Sequence, residues 1–162
     1  MTPKTLTETL SLQLRYTHGV ANRNLDGITE DQALAAPFAG GNSINRVLGH
    51  LVDARNGMLG LLGRGPVLDA AVAKAYARGT QPDSQPAALT DLQAAFHAAQ
   101  DQLLAALAEA DAVLDKPAPY SPLDNPKETV GSLLAMLLFH EAYHVGQLGV
   151  LRRATGAAGA IA

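Results

Sequence analysis

The chain has 162 residues, enough for one ordinary domain, with 17% charged residues, a net charge of −3 and no cysteine. No Lys/Arg cluster exceeds Arg152-Arg153, so the basic footprint of a nucleic-acid binder is excluded, and so are a disulfide-stapled fold, Cys-ligated zinc and thiol chemistry by the protein itself. A 48% hydrophobic content excludes disorder, and the longest apolar run, Leu133 to Phe139, falls far short of the ~20 residues that a membrane span needs.

Thirty alanines and 25 leucines favour helix, and with aromatics at 4% and no Trp the core must be aliphatic. The first residues, Thr2, Pro3 and Lys4, begin no apolar leader, so a cytoplasmic location is expected.

Four long helices are predicted. The first opens with Thr2 as N-cap and Pro3 at the first helical position, carries Leu6, Leu10 and Leu14, and runs to about Asn22. Thr29 and Gln32 form a capping-box pattern for a short turn of helix before Pro37. The second long helix opens near Asn42 or Ser43, lays Ile44, Val47, Leu48, Leu51, Met58 and Leu62 along one stripe, and ends at Gly63 and Gly65. Residues 64 to 86 are irregular, with a short helical piece at Asp69 to Ala77; connections of this length are often functional.

The third long helix begins with a Thr90/Gln93 capping box, carries Leu92, Phe96, Leu103 and Leu107, and ends near Leu114. Pro117, Pro119 and Pro122 enforce a non-helical link. The fourth helix takes Asn125 as N-cap, Pro126 as first residue and Glu128 as the closing partner of the box, and ends at Gly156. No segment alternates with period two. The expected fold class is therefore all-α: a four-helix bundle forming a single domain over 1–162, with a long connection between the second and third long helices.

The fourth helix carries the chemistry. From Thr129 to Leu151 its only formal charge is Glu141. Val130, Leu134, Leu137, Leu148 and Leu151 share one face with Glu141 and His144, with His140 on the flank; Gly131, Ala135, Ala142, Gly146 and Gly149 make a small face suited to close helix approach. A helix apolar nearly all round reads as buried, and two imidazoles and a carboxylate in its middle need partners. His140 and His144 lie four residues apart, so one ion can meet both nitrogens; packed histidines without metal are the alternative.

Two familiar patterns fit badly. His140-Glu141-Ala142-Tyr143-His144 reads as the H-E-x-x-H of zinc proteases, but no His, Asp or Glu follows to supply the third ligand and no sheet is predicted. Glu141 and His144 read as the E-x-x-H of di-iron bundles, but Arg15, Val47 and Ala94 stand three before the other histidines, so the second motif is missing. A third ligand has to come from upstream: His18, His50 or His97. His50 sits at the edge of its helix's apolar stripe, whereas His18 and His97 lie in Ala-rich and polar stretches.

Asn42-Ser43-Ile44-Asn45-Arg46-Val47-Leu48-Gly49-His50-Leu51 and His140-Glu141-Ala142-Tyr143-His144-Val145-Gly146-Gln147-Leu148, followed by Leu151-Arg152-Arg153, resemble the two motifs of the DinB/YfiT-like superfamily of metal-binding four-helix bundles. The likeness spans nearly the whole chain. It implies an up-down-down-up bundle, commonly a homodimer, and a divalent-metal site on His50, His140 and His144, often for zinc or nickel. Members of that superfamily include S-transferases that use low-molecular-weight thiols and a mycothiol-dependent isomerase. This sequence lacks the Trp or other aromatic that many members carry around the second-helix histidine.

Three neutral imidazoles leave a coordination position open, and such a metal makes water or a thiol nucleophilic near neutral pH. With no Cys in the chain, the sulfur must come from a cosubstrate. The expected function is a metal-dependent S-transferase or hydrolase acting on a small molecule. The alternatives are a bundle that binds metal or a small ligand without turnover, and a metal-free structural dimer module. Glu141 is the candidate catalytic residue, as proton acceptor or as the group that orients an imidazole; the competing reading makes it the buried partner of Arg46 or Arg55. Asp53 is placed to support His50, Gln147 lies on the His140 side of the helix, and Tyr143 reads as packing. Tyr120, Ser121 and the 64–86 connection are candidates to border a pocket.

Overall fold

The computed structural model describes residues 5–80 and 86–161, and among them it is helical, with one isolated bridge between Pro117 and Thr129. The helices are α1 (Leu6–Leu25), α2 (Glu30–Leu34), α3 (Ile44–Leu61), α4 (Ala70–Ala75), α5 (Leu89–Leu107), α6 (Asp111–Leu114) and α7 (Val130–Ala154). None is long and apolar enough to cross a membrane.

Local chemistry sets most of the boundaries. Ser43 caps α3 and Asp69 caps α4, each side chain accepting a backbone N–H of the first turn. Thr29 and Gln32 cap α2 reciprocally. Gly63, at φ +70°, ends α3 in the left-handed conformation that only glycine adopts without strain. Gly156, at φ +88°, does the same beyond α7.

Three predicted starts move. The expected cap Thr2 with Pro3 lies outside the described residues; α1 is capped by Thr5, with Glu8 closing its box. The Thr90/Gln93 box does not form, because α5 begins a residue earlier and Thr90 is already helical. There the free Leu89 N–H is met by Glu30 of α2 at 2.9 Å, a tertiary cap invisible in local sequence. Asn125, Pro126 and Glu128 shape a turn instead of a helix start. Asn125 accepts from Lys127 N–H, and Thr129 with Ser132 forms the true box. The third predicted helix also breaks before Leu114, into α5 and α6.

The four long helices pair α3 with α5 and α7, and α1 with α7 and α5. Their buried side chains form two apolar clusters. One joins Ala21 and Leu25 of α1, Ile44 to Val52 of α3, Leu92 and Phe96 of α5, and Val145 to Leu151 of α7. The other joins Leu10 and Leu14, Met58 and Leu59, Leu103 and Leu107, and Leu134 and Leu138 of the same helices. Between them on every long helix falls a polar residue: Thr17 and His18 on α1, Arg55 on α3, His97 on α5, Glu141 on α7.

The small face of α7 is divided. Gly131 and Gly149 meet α1 and its surroundings: a Cβ on Gly131 would lie 2.9 Å from Leu6, and one on Gly149 would lie 3.4 Å from Asn24. Ala135, Ala142 and Gly146 are exposed instead. With Phe139 at 74%, Tyr143 at 61% and Val150 at 56% exposure, they leave an apolar stripe facing outward, so α7 is not buried all round as its composition suggests.

Candidate metal centre

His140 and His144 stand one turn apart on α7, and the packing of α3 against α7 brings His50 to face them. The Nε2 of His140 lies 3.2 Å from that of His50 and 3.0 Å from that of His144. One ligand atom from each of the three lies within 4.8 Å of the others, and among the described residues this is the one cluster of three such donors. Zn–N bonds of about 2.0–2.1 Å separate neighbouring ligand nitrogens by roughly 2.8–3.4 Å between right-angled and tetrahedral geometry. The two observed separations fall within that span.

The outward nitrogens fix the tautomers. His50 Nδ1 donates to the backbone carbonyl of Tyr76 at 3.2 Å, and His144 Nδ1 donates to Gln147 Oε1 at 2.7 Å. Both rings are thereby protonated at Nδ1, which turns the lone pairs of their Nε2 atoms toward His140. Lone pairs converging at this range repel unless a proton or a cation lies between them, so the donor set suits a metal ion. His140 Nδ1 is buried with no hydrogen-bond partner among the described residues. Burial holds His140 down at about 4, assisted by His144 and His50. It also lowers His144, against the opposing hydrogen bond to Gln147. His140 and His144 are thus neutral at pH 7, as metal ligands must be.

A cavity of about 340 Å³ opens in front of the cluster, lined by His50, His140, His144 and the segment from Tyr76 to Thr80. α3 holds that segment in place. Arg46, almost fully buried, donates to the carbonyls of Ala75, Ala77 and Thr80 and to the Thr80 hydroxyl. Asn45, one residue earlier, accepts from the Tyr76 hydroxyl at 3.0 Å and donates to the Ala87 carbonyl at 2.8 Å. Gly49 makes room for the Tyr76 ring, since a Cβ there would lie 2.2 Å from it. The aromatic absent from the sequence around His50 is thus supplied by Tyr76. The expectation that the 64–86 connection borders a pocket holds for residues 76–80; residues 81–85 lie outside the described residues. Tyr120 and Ser121 do not line it: Tyr120 is exposed, and Ser121 bonds Glu128.

Glu141 is not brought to the cavity. It is fully buried in the polar layer, paired with Arg55 through Nε at 2.9 Å and Nη2 at 2.8 Å, and it also accepts from the Thr17 hydroxyl. The Arg55 guanidinium lies 3.6 Å over the Phe96 ring and donates to the Phe96 carbonyl. Its Nη1 also donates to His18 Nδ1 at 3.3 Å, which leaves the His18 proton on Nε2, aimed at His97 Nδ1 at 3.1 Å. His18 and His97 are accordingly engaged with Arg55 and with each other, away from the His50 cluster. Burial, followed by the charges of Arg55 and His97, holds His18 at about 4.

Asp53 does not support His50 through a hydrogen bond; the Tyr76 carbonyl does. Burial raises the Asp53 carboxyl. Gln147 does reach the cluster, and Tyr143 is exposed with its ring edge-on to His144. Sequence reasoning missed Tyr76 and Arg78, because no local pattern says which helix a short connecting helix will pack against; Arg46, offered there as a partner of Glu141, instead holds residues 75–80.

None of the curated proteins compared with the chain matches it. The family model of the DinB superfamily matches residues 13–148, which take in most of α1 and α7, all of α3 and α5, and the three histidines. The chain belongs to the DinB superfamily.

Proposed function

We propose that His50, His140 and His144 hold one divalent metal ion, zinc or nickel, and that the protein is a metal-dependent enzyme. Its reaction is the transfer of a low-molecular-weight thiol to a small electrophilic substrate, or the hydrolysis of that substrate. One observation carries this reading: three Nε2 atoms converge at the wall of a cavity, with two of the rings locked from behind by Tyr76 and Gln147. A bound divalent ion would supply Lewis acidity at that wall. The chain's own part is to orient the imidazoles, keep them neutral and shape the cavity. In S-transfer a C–S bond forms while the leaving group departs with its electron pair and the thiol proton passes to solvent. Glu141, the catalytic candidate from sequence as proton acceptor or imidazole-orienting group, is in this reading a positioning residue. Its carboxylate is engaged by Arg55 and Thr17, and it anchors the turn of α7 that carries His140.

The same reading takes residues 1–162 as a single cytoplasmic domain with an up-down-down-up bundle. The grouping of the N-terminal halves of α1 and α7 with the C-terminal halves of α3 and α5 in one apolar cluster supports that order. A homodimer through the outward stripe of α7 would cover Phe139, Tyr143 and Val150. No nucleic-acid or membrane partner is part of the proposal.

The test is an assay of metal-loaded and metal-stripped protein against chromogenic leaving-group substrates, with a panel of small thiols. Metal-dependent formation of a thioether with one thiol establishes S-transfer, and metal-dependent release without thiol establishes hydrolysis. No turnover in any combination leaves the non-catalytic reading, a bundle that binds metal or a small ligand.

A further inference from the structure

Two arginines line the cavity together with the histidines, in different roles. Arg46 is buried, and its guanidinium organises the carbonyls of residues 75–80. Arg78 sits in the turn that Arg46 holds, lines the same cavity, and is exposed. Among the described residues no hydrogen bond or ion pair engages the Arg78 side chain.

Among the described residues, none that lines the cavity is acidic. Of the carboxylates nearby, Glu141 is buried and paired with Arg55, and Asp53 lies outside the lining. A divalent ion among the histidines would add positive charge. A cavity lined by two arginines favours a ligand whose charge is complementary. Its volume of about 340 Å³ equals that of roughly eleven waters, which limits the ligand to a small molecule.

We infer that the substrate of this site bears an oxyanion, a carboxylate or a phosphate, and that Arg78 is the residue that binds it. The planar fork of a guanidinium matches both groups in two-point fashion, which a lysine cannot reproduce. The inference rests on the reading of this cavity as the substrate site. It adds a chemical class for one end of the substrate and a residue that selects it.

The experiment compares the wild-type chain with Arg78→Ala and Arg78→Lys, each purified with its metal content measured. Succinate and inorganic phosphate are titrated at constant ionic strength, with succinamide as the uncharged control, and binding is read from the rise in Tm. The expected result is stabilisation of the wild type by at least one of the two anions and not by succinamide. The apparent Kd for that anion should rise about tenfold in Arg78→Ala, with Arg78→Lys in between and metal content unchanged in both. Equal anion binding by wild type and Arg78→Ala overturns the inference, as does equal stabilisation by succinamide or no response to either anion. Absence of metal from the wild type, with Arg78-dependent anion binding intact, would defeat the metal reading alone.

Discussion

Replacing Glu141 by Gln separates its two readings. Arg55 and Glu141 are both 0% exposed and joined by two short bonds. The substitution keeps volume and shape but leaves the Arg55 guanidinium buried without a counter-charge. Breaking one partner of a fully buried pair costs about 3–5 kcal/mol. In a chain of this size each kcal/mol shifts Tm by roughly 2–4 °C, so Glu141→Gln should melt roughly 6–20 °C lower. Thermal unfolding followed by circular dichroism measures this directly. The double variant Arg55→Met with Glu141→Leu removes both charges and should recover most of the loss, because a well-packed apolar pair often equals a buried ion pair. A Glu141→Gln protein that melts within about 2 °C of wild type, yet loses metal-dependent turnover, would refute this reasoning and restore Glu141 as the catalytic group.

Other consequences can be checked on the same preparations. Gln147→Ala removes the acceptor behind His144 Nδ1; metal affinity by chelator competition should fall about 10–100-fold with the fold intact. Gly49→Ala drives a Cβ into the Tyr76 ring; overpacking of this kind costs about 1–3 kcal/mol in urea titration and should also weaken metal binding, since Tyr76 carries the His50 acceptor. His18 sits at about 4 in the folded chain against an ordinary 6.5. The unfolded chain therefore binds the extra proton first, and the His18 contribution is complete above pH 6.5 and lost as the pH falls through about 4. The Tm of wild type should fall more steeply between pH 7 and 4 than that of His18→Asn.

The readable parts of the sequence were those whose cause is local. The helix caps Ser43, Asp69 and Thr29, the stop at Gly63, and the apolar stripes of α3 and α5 follow from side chains acting within a few residues. So does the His140/His144 pair, which helical spacing alone brings together. The cap at Leu89 comes from Glu30, far away in sequence, and Thr90 therefore misled. His50 was one of three upstream candidates, set apart by its place at the edge of an apolar stripe, and the likeness to a family named it as the ligand. The motif around it is now explained residue by residue. Ser43 caps the helix, Arg46 fastens residues 75–80 and Asn45 holds Tyr76 and Ala87, Gly49 admits Tyr76, and Tyr76 returns a carbonyl to His50. That closed circuit joins residues some thirty apart, which periodicity does not see. Glu141 shows the reverse case. Its place beside His140 suggested chemistry, but neighbouring residues on a helix point in different directions, and the carboxylate turns into the polar layer between the two apolar clusters.

The most direct test of the three-histidine site is elemental analysis of untagged protein, set beside His50→Ala and His144→Ala. The account predicts one equivalent of divalent metal in the wild type and its loss from both variants while the helical signal is retained. Full occupancy in either variant, or no metal in wild type after incubation with zinc and with nickel, would contradict it.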